Sequence, residues 1–169
     1  ISDTIKISKA ANGITVTCDK QVTRSARDNI AYKAAELILR TAGIRSGVRI
    51  HIRKRIPIAA GLGGGSSDAA AVLMGINKLF DLKISKDKLM RLGAKLGADV
   101  PFFIYDTPYA VGRGIGDRLK KLNSKAKFSH ILVYPGFKVA TKDVYNRLDL
   151  GLTTGRGDVK ITLPKDRDS

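Results

Sequence analysis

Pro57-Ile58-Ala59-Ala60-Gly61-Leu62-Gly63-Gly64-Gly65-Ser66-Ser67-Asp68-Ala69-Ala70-Ala71 is the stretch that decides how this chain reads. Four glycines within five positions remove side chains where a ligand can approach the backbone. Two serines then open a helix, marked by Ala69, Val72, Leu73, Ile76, Leu79 and Phe80 at helical spacing. The N–H groups of a first helical turn lack intrahelical acceptors, and the helix dipole favours an anion there. Together these features describe a phosphate cradle. A Walker A loop ends in Gly-Lys-Ser/Thr, and this loop contains no lysine. A dinucleotide fingerprint counted from Gly61 needs glycine where Ser66 stands.

Upstream, Ile5 and Ile7 alternate with polar residues, then Asn12-Gly13 precedes Ile14, Val16 and Cys18 in the same alternation. That pattern predicts a β-hairpin. Asp28 is placed to cap a helix through Ile30, Ala34, Leu37 and Ile38, stopped at Gly43. Val48, Ile50 and Ile52 alternate with Arg49, His51 and Arg53, which predicts a strand with one buried and one basic face.

Downstream, Ser85 caps a helix through Leu89, Leu92 and Leu96 that ends at Gly97. Pro101 to Tyr105, Tyr109 to Val111 and Phe128 to Tyr134 read as strands, with a glycine-punctuated turn over Gly112 to Gly116. Thr141 is placed to cap a short helix through Val144, Tyr145 and Leu148. Strands and helices without strict βαβ alternation predict an α+β class. Dense charge and lost hydrophobic pattern around Lys120 to Lys127 predict a domain boundary, giving domains 1–127 and 128–169.

The chain has 169 residues, 43% of them hydrophobic, enough to bury a core. No apolar run reaches the ~18 residues a membrane span needs, so no membrane partner is expected. The lone cysteine, Cys18, reads as a buried strand residue and forms no internal disulfide. A reducing cytoplasm is the default location. The net charge of +16 calls for anionic partners. A basic nucleic-acid-binding module is the main rival reading, and it lacks an aromatic stacking cluster or a recognisable motif. His51 and His130 have no companion at metal-ligand spacing, so no metal site is expected on them and both read as surface strand residues.

The glycine-rich stretch resembles the second motif of the GHMP kinases, a superfamily of small-molecule kinases. Gly97-Ala98-Asp99-Val100-Pro101-Phe102 downstream strengthens the resemblance, as do Asp28-Asn29-Ile30 and Tyr134-Pro135-Gly136 followed by Thr141. The particular form Leu62 to Ala70 is most similar to members that phosphorylate a diphosphocytidyl-linked alcohol of the non-mevalonate isoprenoid pathway. The resemblance implies an α+β domain of the GHMP N-terminal type with a left-handed βαβ unit, followed by the start of a ferredoxin-like domain. It implies that Pro57, Ile58, Ala59, Ala60, Gly61, Leu62, Gly63, Gly64, Gly65, Ser66 and Ser67 bind ATP, with Mg2+ arriving alongside the nucleotide. Asn29 and Lys54 are implied beside the adenine, Thr141 near the phosphates and Tyr145 near the substrate's cytidine.

Asp99 reads two ways: a turn aspartate bonding nearby backbone N–H groups, or, by the resemblance, the catalytic carboxylate at the acceptor hydroxyl. Thr141 and Tyr145 stay open between ligand contacts and a helix cap with a core aromatic. The family's first motif, Pro-Ala-Lys-x-Asn, and its third, glycine-rich motif are absent from this stretch. The chain therefore reads as a piece of a longer enzyme that is inactive alone. A sheet edge left uncovered leaves two outcomes open: pairing with a second copy as a homodimer, or dependence on a partner segment.

Overall fold

The computed structural model describes residues 1–114, 118–124, 129–134 and 136. The chain divides into two units, Ile1–Ile58 with Leu62–Leu122, and Ala59–Gly61 with Asn123–Ser169. The first unit contains β1 (Thr4–Ala10), β2 (Ile14–Cys18), a 3-10 turn (Ala26–Asp28), α1 (Ile30–Thr41) and β3 (Gly47–Arg53). It continues through α2 (Gly64–Leu79), α3 (Lys86–Ala94), α4 (Val100–Tyr105), β4 (Ala110–Arg113) and β5 (Arg118–Lys121).

The expected β1–β2 hairpin does not form. β3 inserts between the two strands, antiparallel to β1 and parallel to β2. The Asn12-Gly13 turn instead wraps the start of β3: Val48 N–H donates to the Gly13 carbonyl at 2.9 Å. A Cβ on Gly47 would lie 2.3 Å from that turn's backbone, so only glycine lets β3 enter there. The turn signal was sound, but the partner of each strand was set by a segment more than thirty residues away.

β2, α1 and β3 form a parallel βαβ unit. Its inward face is Val48, Ile50 and Ile52, each almost fully buried, while Arg49, His51 and Arg53 face solvent as expected. α1 and α2 pack together over that face. Ala31, Ala34 and Ala35 on α1 and Ala69 and Ala70 on α2 are all fully buried, and their small size lets the helices approach closely. β1 is seated on α2 at Gly75, where a Cβ would come 2.6 Å from Ile7 Cδ1. Cys18 is half-buried rather than buried.

One helix boundary and one element type differ from expectation. Asn29, not Asp28, caps α1: its Oδ1 accepts the Ala31 N–H at 2.9 Å, while Asp28 closes the preceding 3-10 turn. Ser85 caps α3 as expected. The stretch Pro101–Tyr105 is helical rather than a strand, with proline inside the first turn of α4, where its missing N–H costs nothing. Residues 129–134 carry no regular secondary structure, so no strand runs through them. Thr141, Tyr145 and Phe128 lie outside the described residues.

α3 and α4 lock together through Gly93. A Cβ there would lie 2.8 Å from Val100 Cγ1 and 2.9 Å from Ile104 Cδ1, both on fully buried side chains. Val100 is β-branched and has few other rotamers to escape into. Gly93→Val is therefore expected to cost about 1–3 kcal/mol by overpacking. Urea unfolding checks this, and an unchanged midpoint would show that α4 moves freely.

Candidate active site

α2 starts at Gly63, whose left-handed backbone (φ 66°, ψ 14°) turns the chain into the helix. A side chain would be strained at that φ, and its Cβ would fall 2.9 Å from the Phe103 ring, which would have to shift. The first intrahelical bond runs from Ser67 N–H to the Gly63 carbonyl at 2.9 Å. The N–H groups of Gly64, Gly65 and Ser66 precede it and have no acceptor within the helix. Gly65 is exposed and Ser66 half-buried, so this turn is open to a ligand. The Ser67 hydroxyl donates back to the Gly64 carbonyl at 2.8 Å, which stiffens the turn. Upstream, Ala59 and Gly61 both take left-handed backbone angles, at φ 57° and 71°.

Two other elements border this turn. Ile30, the first residue of α1, lies beside Gly65, 3.6 Å from where a Cβ would sit. Two helix starts, and the cap residue Asn29, are thereby gathered at one place. Gly97 faces the Ser66 hydroxyl, 4.0 Å from its own Cβ position. Two residues further on, Asp99 sits at the N-cap of α4, exposed, and its side chain makes no capping bond. The turn-aspartate reading needs such a bond. The carboxylate instead lies at the surface without one.

Asn29 lines a cleft of about 300 Å3 with Val16, Cys18, Val22 and Thr23 among its walls. Lys54, expected beside the same base, does not line that cleft. It is 5% exposed, and its ammonium is held by Asp3 and by Asp68, the latter at 2.8 Å. Burial disfavours the charged amine, but the two carboxylates outweigh it and raise the Lys54 pKa. Burial also pushes Asp68 up, to about 6, against the opposing pull of Lys54. Asp68 Oδ1 is buried and has no hydrogen-bond partner. Asp3 is pushed up by burial too. Bonds from Lys54 and from the Ile56 and Arg55 N–H groups overcome that and hold it below the usual carboxylate range.

The motif reading did not find this ion cluster. Its signal was present: Lys54 continues the even-numbered parity of Val48, Ile50 and Ile52, which points an ammonium inward. A buried ammonium needs carboxylate partners. What no local pattern supplied was their identity, since Asp3 is 51 residues away in sequence.

Among the described residues, no three His, Cys, Asp or Glu side chains gather as a cation site. The donor set fits a nucleotide's phosphates instead: bare glycine backbone, orphan amides and a helix N-terminus.

A mixed α+β domain with an open glycine-rich helix start has the form of a small-molecule kinase's nucleotide-binding half. Residues 29–107 match the GHMP kinases N terminal domain. Among its relatives, the 4-diphosphocytidyl-2-C-methyl-D-erythritol kinase of Syntrophus aciditrophicus is 46% identical over 151 residues, covering 89% of this chain and 54% of that protein. The protein of the same name from Geobacter sp. (strain M21) is 50% identical over 143 residues, covering 85% and 50%. The chain thus spans about half the length of the curated relatives it matches. A solved 4-(cytidine 5'-diphospho)-2C-methyl-D-erythritol kinase superposes with a TM-score of 0.67 at 40% identity, covering 85% of this chain and 50% of that one. Homoserine kinase from Cytophaga hutchinsonii shares the fold, with a TM-score of 0.62 at 23% identity.

Proposed function

We propose that this chain supplies the nucleotide-binding half of a kinase that transfers the γ-phosphoryl group of ATP to a hydroxyl of 4-diphosphocytidyl-2-C-methyl-D-erythritol. The observation that carries the reading is the first turn of α2, where the Gly64, Gly65 and Ser66 amides precede the first intrahelical bond on a turn open to a ligand. The names of the relatives supply the substrate. In this reading Pro57 to Ser67 hold the triphosphate and Asn29 stands by the base.

Asp99 accepts the proton of the acceptor hydroxyl as that oxygen attacks the γ-phosphorus, and ADP leaves. Magnesium, arriving with ATP, neutralises phosphate charge. Amides of the α2 start bear on the phosphoryl oxygens, where a preorganised donor strengthens as charge develops. Thr141 by the phosphates and Tyr145 by the cytidine belong to the same reading, with a nucleotide-binding domain over 1–127 and the start of a second domain over 128–169. A cytoplasmic location accords with it; among the described residues no helix is long and apolar enough to cross a membrane.

Gly65→Asp tests this reading cleanly. A Cβ at Gly65 meets only Ile30 Cγ2 at 3.6 Å, an ordinary contact, so the fold tolerates the change. An aspartate in the first turn stabilises the helix by about 0.3–1 kcal/mol through its dipole. The same carboxylate repels a phosphate. Calorimetric titration with Mg-ATP should show saturable binding in the wild type and at least about tenfold weaker binding in the variant, a loss of about 1.4 kcal/mol. Stability and affinity should thus move in opposite directions. Equal ATP affinity in both proteins, or none in either, would remove the cradle.

A further inference from the structure

We propose that Lys54, Asp3 and Asp68 form a clamp joining the two feet of the glycine-rich loop, so that Lys54 serves nucleotide binding by positioning the cradle and not by touching the base. The proposal deepens the kinase reading and rests on it.

The loop leaves β3 after Arg53 and ends where α2 begins at Gly64. Both feet converge on one ammonium. At the first foot, Asp3 Oδ1 accepts the Arg55 N–H at 2.6 Å and the Ile56 N–H at 2.9 Å, while its other oxygen accepts from Lys54 Nζ. The Lys54 N–H is itself tied to Asp19 Oδ1 at 2.8 Å. At the second foot, Lys54 Nζ donates to Asp68 Oδ2 at 2.8 Å, one turn into α2. Gly64 lies directly against the same ammonium, with its Cβ position 3.3 Å from Nζ and 3.0 Å from Ile56 Cγ2. The orphan amides of the α2 start are thus held at a set distance from the β3 exit by buried, charge-assisted bonds.

Seven residues, Pro57 to Gly63, span the gap between Ile56 and Gly64, four of them glycine or alanine with left-handed or unhindered backbones. Such a segment samples many conformations unless its ends are fixed. Triphosphate binding needs three adjacent amides aimed at one ligand, and an unclamped loop presents them only part of the time. The apparent affinity then falls by that fraction, whichever base the nucleotide carries. A base contact by Lys54 predicts something different, because a ligand without a base would not notice its loss.

The distinguishing probe is magnesium tripolyphosphate beside Mg-ATP, each titrated calorimetrically into the full chain. The variants are Asp3→Asn, Lys54→Gln and Lys54→Arg, at a temperature where circular dichroism shows each fully folded. The clamp predicts that Asp3→Asn and Lys54→Gln weaken both ligands by the same factor, about tenfold if the competent loop falls to a tenth of the population. Lys54→Arg, which keeps both ion pairs, should recover most of that loss. A variant that weakens ATP while leaving tripolyphosphate unchanged restores Lys54 to the base and overturns the clamp. So does wild-type affinity for both ligands in Asp3→Asn. Should Asp3→Asn not fold, Asp68→Asn reads the same prediction from the other foot. A wild-type chain that binds neither ligand removes the kinase reading and the clamp with it, an outcome separable from the others.

Discussion

Asp99→Asn in the complete enzyme is expected to lower kcat by roughly 10²–10⁴-fold, the range typical of a lost general base. Its affinity for ATP should stay within about twofold, since the proposed mechanism gives the phosphates to the α2 amides and not to Asp99. The geometry makes the substitution clean. Asp99 is exposed at the start of α4, in a helical backbone (φ −82°, ψ −18°) that asparagine adopts readily, and its side chain makes no capping bond. No structural bond is lost with the carboxylate, only the capacity to accept a proton. Steady-state kinetics with both substrates checks the split between kcat and KM. Turnover near that of the wild type would take Asp99 out of the reaction and leave positioning to do all the catalysis.

Lys54→Met is expected to lower folding stability by about 3–5 kcal/mol at pH 7.5, because it leaves two buried carboxylates without their cation. Lys54 is 5% exposed, as is Asp68, so water compensates little. The deficit should shrink at pH 5, and the sign follows from the two carboxylates. The Asp68 pKa is raised to about 6 from 3.8. Its contribution to stability is therefore complete below 3.8 and lost as pH rises through about 6. The Asp3 pKa is lowered, so its contribution is present above 3.8 and lost as pH falls through its folded value. Without the ammonium both carboxylates ionise at higher pH than before, and the variant pays its full penalty only when both are charged. Urea unfolding of wild type and variant at pH 7.5 and pH 5.0 makes the comparison. A deficit below 1 kcal/mol, or one equal at both values, would mean that the cluster is solvated in solution.

Much of the site was readable from residue order because its physics is local. Glycine spacing, two serines and a patterned helix are enough to locate a bare helix start, and α2 begins at Gly64 after a left-handed Gly63. Ser85 capping α3 and the even-numbered apolar face of β3 are equally local. The misreadings have a common cause. Val100 to Tyr105 is six residues long, too short for its aromatic and β-branched content to be told from a strand by period alone. Packing of Val100 and Ile104 against Gly93 made it a helix. Asn12-Gly13 does reverse the chain, yet β3 took both strand edges because Gly47 lets it slide in behind the turn.

Sequence alone determined the bare, glycine-rich start of α2, since glycines, serines and a helix start act through their own backbone. Tertiary structure alone decided what holds that backbone in place. Lys54 became a strut between Asp3 and Asp68 because a lysine on an inward strand face must meet its counter-charges wherever the fold brings them, and one lies 51 residues away. Distance along the chain carries no record of that meeting. The cost of leaving a charge unpaired in the interior is what enforces it.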